Sequence, residues 1–353
     1  MPGSEMYKSR WTVFSMSVPI FVETTLQMMV PNVDQFMLSH YSQDSVAAVG
    51  NDNVIFNLVI LTLAVLSQAA TILIAHYRGA GNLSKVSEVC TVSLTVNLVL
   101  GLVISAALFI FDDFFLILYL FHKYTPARFS MSYLRPFPWK TFHKILYLGV
   151  PSAGETFSYQ FSQAMIMKFV NLFGVVVITT KVYCYIIAMV SYVYSQSLAM
   201  ATQILVGYFK GAGDNDEVDK RVKFTISVAM LLSGTISTLL YLNADAVLSI
   251  FTDDPAVHAL GKTILFIEIF LEIGRAVNMS MVMALNAAGD VRAPVTIGII
   301  FMWSVATFGS WLLGVHWGWG QAGIWIAMAA DECTRGLVFF WRWHQGVWRK
   351  RFA

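Results

Sequence analysis

Val18–Asp34, VPIFVETTLQMMVPNVD, is a hydrophobic stretch that nonetheless carries Glu23, Gln27 and Asp34. At about 100° per residue, these three positions and Val30 fall on one helical face. An ionisable stripe inside a membrane-length helix is costly, so it marks a candidate functional site. The pattern returns at Val150–Ala164, VPSAGETFSYQFSQA, where Pro151 and Glu155 stand as Pro19 and Glu23 do. Further along, TILIAHYRGAGN (71–82) matches QILVGYFKGAGD (203–214) at the same offset and without a gap. Two matches at one offset make the chain an internal repeat. Repeated halves around a midplane site are characteristic of transporters.

Composition points to the membrane. The chain is 57% hydrophobic and 12% charged, against about a quarter charged in soluble domains; its mean hydropathy is +0.64. A net charge of +2 is too small to suggest a nucleic-acid partner. Cys90, Cys184 and Cys333 are far apart, form no CxxC pair and read as small buried hydrophobes. Lys8 and Arg10 lead straight into a full-length span, so no cleavable leader is expected.

A spanning helix needs about 20 apolar residues. Nine spans are expected, near 12–38, 53–77, 89–111, 144–170, 183–209, 223–243, 258–285, 294–315 and 321–341. Basic residues gather at the N-terminus, after the second span, across the linker, after the fifth and seventh spans and at Arg349–Arg351. Aspartates such as Asp44, Asp112 and Asp254 occupy the opposite loops. Both termini and the linker are therefore expected to face the cytoplasm. The expected fold is an all-α polytopic bundle of two repeat-related lobes: an N-lobe over 1–121, a basic linker over 122–143 and a C-lobe over 144–353. The lobes are unequal, three spans against six. Comparison of the copies places an absence of roughly 90 residues near Asp113–Leu116. A re-entrant hairpin at 112–121 is the alternative.

Several charged residues are candidates for chemistry. Asp34 lies three residues after Pro31, where a kink would couple a carboxylate's charge to helix bending; the plainer reading is a hydrated residue at the helix end. With Glu23, Glu155 and Glu268 it forms the candidate set for coupling to a cation or proton; for Glu23 and Glu155, at matching repeat positions, the alternative is a structural anchor paired with backbone or hydroxyl groups. Glu268, Glu272 and Arg275 share one face of span 258–285. Glu272–Arg275 reads as a structural ion pair, leaving Glu268 the freer acid and one negative charge in surplus. Asp331 and Arg335, four apart, are expected to neutralise each other. Gln27, Tyr159, Gln163, Tyr192, Gln196 and Glu272 are the candidate lining of a substrate cavity, because aromatic faces attract organic cations; ordinary packing is the alternative for each residue singly. The acids of GAGDNDEVDK (211–220) raise the possibility of a Mg²⁺–diphosphate site. Its partner GAGNLSKVSE (79–88) lacks them, which favours a turn and a helix start.

Taken together, VPIFVETTLQMMVPNVDQFMLSH, the paired GAGN and GAGD turns, LGVPSAGETF and ALNAAGDVRAP (284–294) resemble the multidrug and toxic compound extrusion (MATE) transporters. The glutamate four residues after the proline is similar to the bacterial branch that includes the DNA-damage-inducible type of exporter. The resemblance covers nearly the whole chain outside the absent segment. It implies a two-lobed inner-membrane exporter of organic cations or related amphipaths, driven by H⁺ or Na⁺, H⁺ being favoured, with no other cofactor. It also implies that Asp34 is the N-lobe cation or proton site, which the missing helices would leave incomplete. The family's tenth-helix aspartate has only Glu272 and Arg275 nearby in this chain. The partners expected are the lipid bilayer and small organic substrates, with self-association if the N-lobe is open. The competing readings are a lipid-linked saccharide flippase, a prenyl-diphosphate enzyme using Asp214, Asp216 and Asp219, and a truncated inactive relative or subunit.

Overall fold

The computed structural model describes residues 11–39, 64, 66–108 and 137–350, and no strand occurs among them. The chain runs through α1 (Trp11–Ser39), α2 (66–79), α3 (Leu83–Leu108), α4 (Trp139–Asn171), α5 (Val175–Gly211), α6 (Asn215–Leu242), the short α7 (Ala244–Leu248), α8 (Pro255–Ala287), α9 (Arg292–His316) and α10 (Gly320–His344). Most of these helices outrun the apolar stretches that predict them. The apolar run marks only the part that needs a hydrophobic surrounding, while polar ends stay helical through their own pairs. At the start of α6, Glu217 pairs with Lys220 at 3.2 Å and Arg221 at 3.1 Å, and Asp219 with Lys223 at 2.7 Å. The expected segment 112–121 lies outside the described residues.

Four described helices are long and apolar enough to cross a membrane by length and composition: Leu83–Gly101, Val175–Gly211, Asn215–Leu242 and Arg292–His316. Helices α8 and α10 have the length, at 33 and 25 residues, but carry charges in their middles.

Two compact units divide the chain, with boundaries inside α1, α4 and α5 and at the start of α6. The unit comprising Thr25–Ala153 and Gly207–Asn215 holds both repeated glycine turns. Each ends its helix with the same hydrogen bonds: Asn82 N–H to Tyr77 O and Asp214 N–H to Phe209 O, both 2.9 Å. Gly81 and Gly213 take φ of 72° and 79°, the left-handed cap that favours glycine. The two turns also cross each other reciprocally. A Cβ on Gly79 would lie 1.6 Å from Tyr208 O, and one on Gly211 would lie 1.6 Å from His76 O. The repeat therefore requires Gly79 and Gly211 because the backbone of each copy fills the side-chain space of the other.

The other unit comprises Met1–Thr24, Gly154–Val206 and Asp216–Ala353. Its apolar core includes Ile166, Val170, Ile187, Leu265, Leu271, Ile324 and Trp325. Within it, α8 and α10 approach at Gly274, whose Cβ would sit 2.8 Å from Cys333 N. Helix α9 widens into π-turns over Met302–Thr307 and Ser310–His316. The first is braced by α4: Ser162 Oγ lies 2.7 Å from Thr307 Oγ1, and Thr307 donates to Met302 O. π-turns of this kind are frequent at functional sites.

Candidate functional site

Arg275 sits on α8 one residue after the glycine that lets α10 approach. Its Nη1 contacts Glu272 on the preceding turn of the same helix and lies 3.9 Å from Glu268 Oε1. From α10, Glu332 Oε1 approaches Arg275 Nε at 3.8 Å. From α5, the Tyr192 ring lies under the guanidinium, 5.7 Å from ring centre to Cζ. One guanidinium thus serves three carboxylates and an aromatic face. Arg335 on α10 extends the network, with Asp331 Oδ2 at 2.5 Å and Glu332 Oε1 at 3.3 Å. Asn278 donates to Glu332 at 2.6 Å. All four carboxylates are buried.

The pairs Glu272–Arg275 and Asp331–Arg335 form as expected. Glu268 departs from expectation: it accepts a 2.5 Å bond from Trp325 Nε1 and shares Arg275, so it is engaged on both sides. The charge count changes too. Glu332, which the sequence reading passed over, joins the two pairs into one cluster of four acids and two bases. The surplus is two negative charges rather than one. Burying charge without compensation is expensive, so such a surplus calls for mobile cations, protons included.

Glu155 is half-buried on α4. A Cβ on Gly298 of α9 would meet its Oε1 at 2.9 Å, so the absent side chain makes the notch in which the carboxylate rests. Glu155 also interacts electrostatically with Arg335, and Tyr159 with Arg275 and Glu332. Tyr159 is exposed, while Gln163 and Gln196 are half-buried on α4 and α5. Glu23 and Gln27 are exposed on α1, whose Phe21 ring lies 6.2 Å from that of Tyr194. Asp34 is on α1, with its side chain outside the described residues. The structure therefore brings together Tyr192, Glu268, Glu272, Arg275, Asp331 and Arg335, with Glu155 and Tyr159 in electrostatic range.

The residues that sequence reasoning missed are Glu332, Trp325, Asn278 and Gly298. Glu332 carried a usable signal: it lies three before Arg335 and would share its helical face. The acids of GAGDNDEVDK are partly tied down, Asp219 by Lys223 and by Trp343 Nε1 at 2.9 Å, and Glu217 by Lys220 and Arg221. Among the described residues, no group of three or more His, Cys, Asp or Glu is placed to hold a metal ion.

Known proteins resemble the chain end to end. It is 27% identical to an uncharacterized transporter, YisQ, of Bacillus subtilis over 431 positions, covering 96% of this chain and 95% of the relative. It is 20% identical to a probable multidrug resistance protein NorM of Thermotoga maritima over 444 positions, covering 99% and 96%. Both alignments are longer than the chain. In the first, about 90 positions have no residue of this chain opposite them, the length of about three spanning helices with their loops. A crystal structure of MATE in the straight conformation superposes with a TM-score of 0.87 at 15% identity, covering 99% of both chains. A MOP superfamily transporter from Pyrococcus furiosus gives 0.85 with the same identity and coverage. The family model described as MatE matches residues 19–147 and again 151–312, two ranges that begin at the paired prolines. The chain belongs to the MatE family of membrane transporters.

Proposed function

We propose that the chain is a secondary active exporter that moves organic cations or amphipaths out of the cell by alternating access, driven by H⁺ in preference to Na⁺. The observation that carries the reading is the buried cluster on α8 and α10, where four carboxylates face two guanidiniums beside Tyr192. A surplus of acid in a low-dielectric interior favours taking up a proton or a cation, and an aromatic face favours an organic one. The relatives named for multidrug resistance agree with that substrate class. Glu155 and Glu268 supply coupling from the C-lobe (144–353) and Asp34 from a shortened N-lobe (1–121), with the termini and the linker (122–143) cytoplasmic. A lipid-linked saccharide flippase would call for a cationic cavity. The cluster here is acidic instead.

A second reading rests on the internal shortfall of about 90 positions. An N-lobe lacking helices would expose polar faces to lipid and drive association with a second chain or a complementary fragment. Ethidium efflux from proteoliposomes under an imposed pH or Na⁺ gradient tests both readings, with Asp34→Asn as the comparison. Gradient-driven efflux that the substitution abolishes supports the exporter. Well-folded protein that moves no dye under either gradient refutes it in favour of the inactive relative. A monodisperse, thermally stable monomer in mild detergent would argue against association.

A further inference from the structure

We infer that Arg275 is a tethered internal cation: it occupies, from within the chain, a box built for a planar organic cation, and so sets which compounds can enter. The argument starts from what such a ligand needs. A planar amidinium or guanidinium binds carboxylates through paired N–H groups and stacks on an aromatic face. The box supplies both, with Glu272, Glu268 and Glu332 around one position and the Tyr192 ring beneath it.

Arg335 shows a buried structural contact of the ordinary kind, with two acids on one base. It lies 2.5 Å from Asp331, its side chain is only 6% exposed, and it shares Glu332 at 3.3 Å. Arg275 is arranged differently. Its side chain is 16% exposed, while those of Glu268, Glu272 and Glu332 are 7%, 0% and 11%. The guanidinium is thus the most exposed member of the group, and the acids lie deeper. Two of the three acids are also held by other groups, Glu268 by Trp325 and Glu332 by Asn278, while Glu272 is paired with Arg275 itself. Asn278 is 5% exposed, and its Oδ1 has no hydrogen-bond partner among the described residues, leaving an acceptor beside the box for a further N–H. An incoming cation must displace the guanidinium, and the wild-type chain therefore selects against small planar monocations.

This inference depends on the exporter reading only for which transported compounds are affected; binding is read without transport. The experiment is calorimetric titration of benzamidine, a planar amidinium, into purified full-length chain in mild detergent with no gradient. Arg275→Met is expected to bind benzamidine at least tenfold more tightly than wild type. Adding Glu332→Gln should lose most of that gain, and Arg275→Lys should bind as weakly as wild type. Because Arg275→Met leaves acids unpaired, the charge-balanced Arg275→Met/Glu272→Gln chain is measured alongside; it is expected to keep several-fold of the gain. Arg275→Met protein that folds only in the presence of benzamidine counts in favour. If both chains melt near wild type and neither binds more tightly, Arg275 is a structural counter-ion and the inference is overturned. Efflux that fails in proteoliposomes while the binding gain persists would sink the exporter reading alone.

Discussion

Replacing Gly274 by alanine tests whether the α8–α10 crossing builds the charge cluster. The new Cβ would lie 2.6 Å from Cys333 Sγ, 2.8 Å from Cys333 N and 3.0 Å from Cys333 Cα, where ordinary contact begins at 3.4 Å. The sulfur can rotate aside, but the nitrogen and Cα are backbone, so α10 must retreat by several tenths of an ångström. Overpacking of this kind costs about 1–3 kcal/mol. The retreat also lengthens the 3.8 Å approach of Glu332 to Arg275, because Glu332 immediately precedes Cys333. At about 2–4 °C per kcal/mol for a large domain, the apparent melting temperature in detergent should fall by roughly 2–12 °C. Gly154→Ala is the control: it makes the same change on α4, where a Cβ meets nothing within 4 Å. Helix propensity there favours alanine by up to about 1 kcal/mol, so its melting temperature should hold or rise. Adding Cys333→Ala to Gly274→Ala should restore only part of the loss, since the backbone overlap persists. A Gly274→Ala chain as stable as wild type would refute the close crossing and the site geometry resting on it.

Other substitutions probe the fold and the cluster separately. Gly79→Ala and Gly211→Ala each place a Cβ 1.6 Å from a backbone carbonyl of the opposite turn; each should destabilise by more than the usual overpacking cost of about 1–3 kcal/mol, and to a similar extent, read as loss of monodisperse protein on size exclusion. Trp325→Phe removes the indole donor from Glu268 and should cost about 1–3 kcal/mol while shifting the pH profile of efflux; an unchanged profile and melting temperature would show the bond to be idle. Asp245 is exposed on α7, and the Lys262 ammonium of α8, 2.7 Å away, holds its carboxyl below the usual range, aided by His258. A depressed carboxyl stabilises the fold above its unfolded value of about 4 and loses that contribution as pH falls. The melting difference between wild type and Asp245→Asn should therefore shrink from about pH 6 to about pH 3; a difference that widens toward acid would contradict the pairing.

Sequence patterns carried the repeat and most of the helices because these depend on local periodicity. The paired glycine turns were legible as helix ends, yet their crossing was not. That Gly79 lies against Tyr208 O is a tertiary fact, and the turn alone explains only Gly81 and Gly213. The pairs Glu272–Arg275 and Asp331–Arg335 were legible at helical spacing. Their union through Glu332 was not, because it depends on how closely α10 passes Gly274. Glu268 was read as the freer acid because its partners come from elsewhere: Trp325 belongs to α10 and Arg275 lies two turns along. The π-turns of α9 have no signature in hydrophobic spacing, since they differ from an α-helix by one residue and the first is braced by Ser162 of another helix.

The surplus of acid makes an asymmetry that a balanced network would not. In a cluster with as many bases as acids, removing either kind of partner leaves one orphan charge and costs about the same, some 3–5 kcal/mol. Here four carboxylates share two guanidiniums. Glu332→Gln lowers the surplus from two to one, and the glutamine amide can still accept from Asn278. Arg335→Gln raises the surplus to three and leaves Asp331, 3% exposed, without its base. The glutamate substitution should therefore cost no more than about 2 kcal/mol and the arginine substitution about 3–5 kcal/mol. The excess cost of Arg335→Gln should diminish in acid, as protons supply the missing positive charge. Equal losses for the two variants at neutral pH, or a gap that acid leaves untouched, would mean the cluster is already balanced by charges outside it. The acid surplus would then be no argument for cation-driven export.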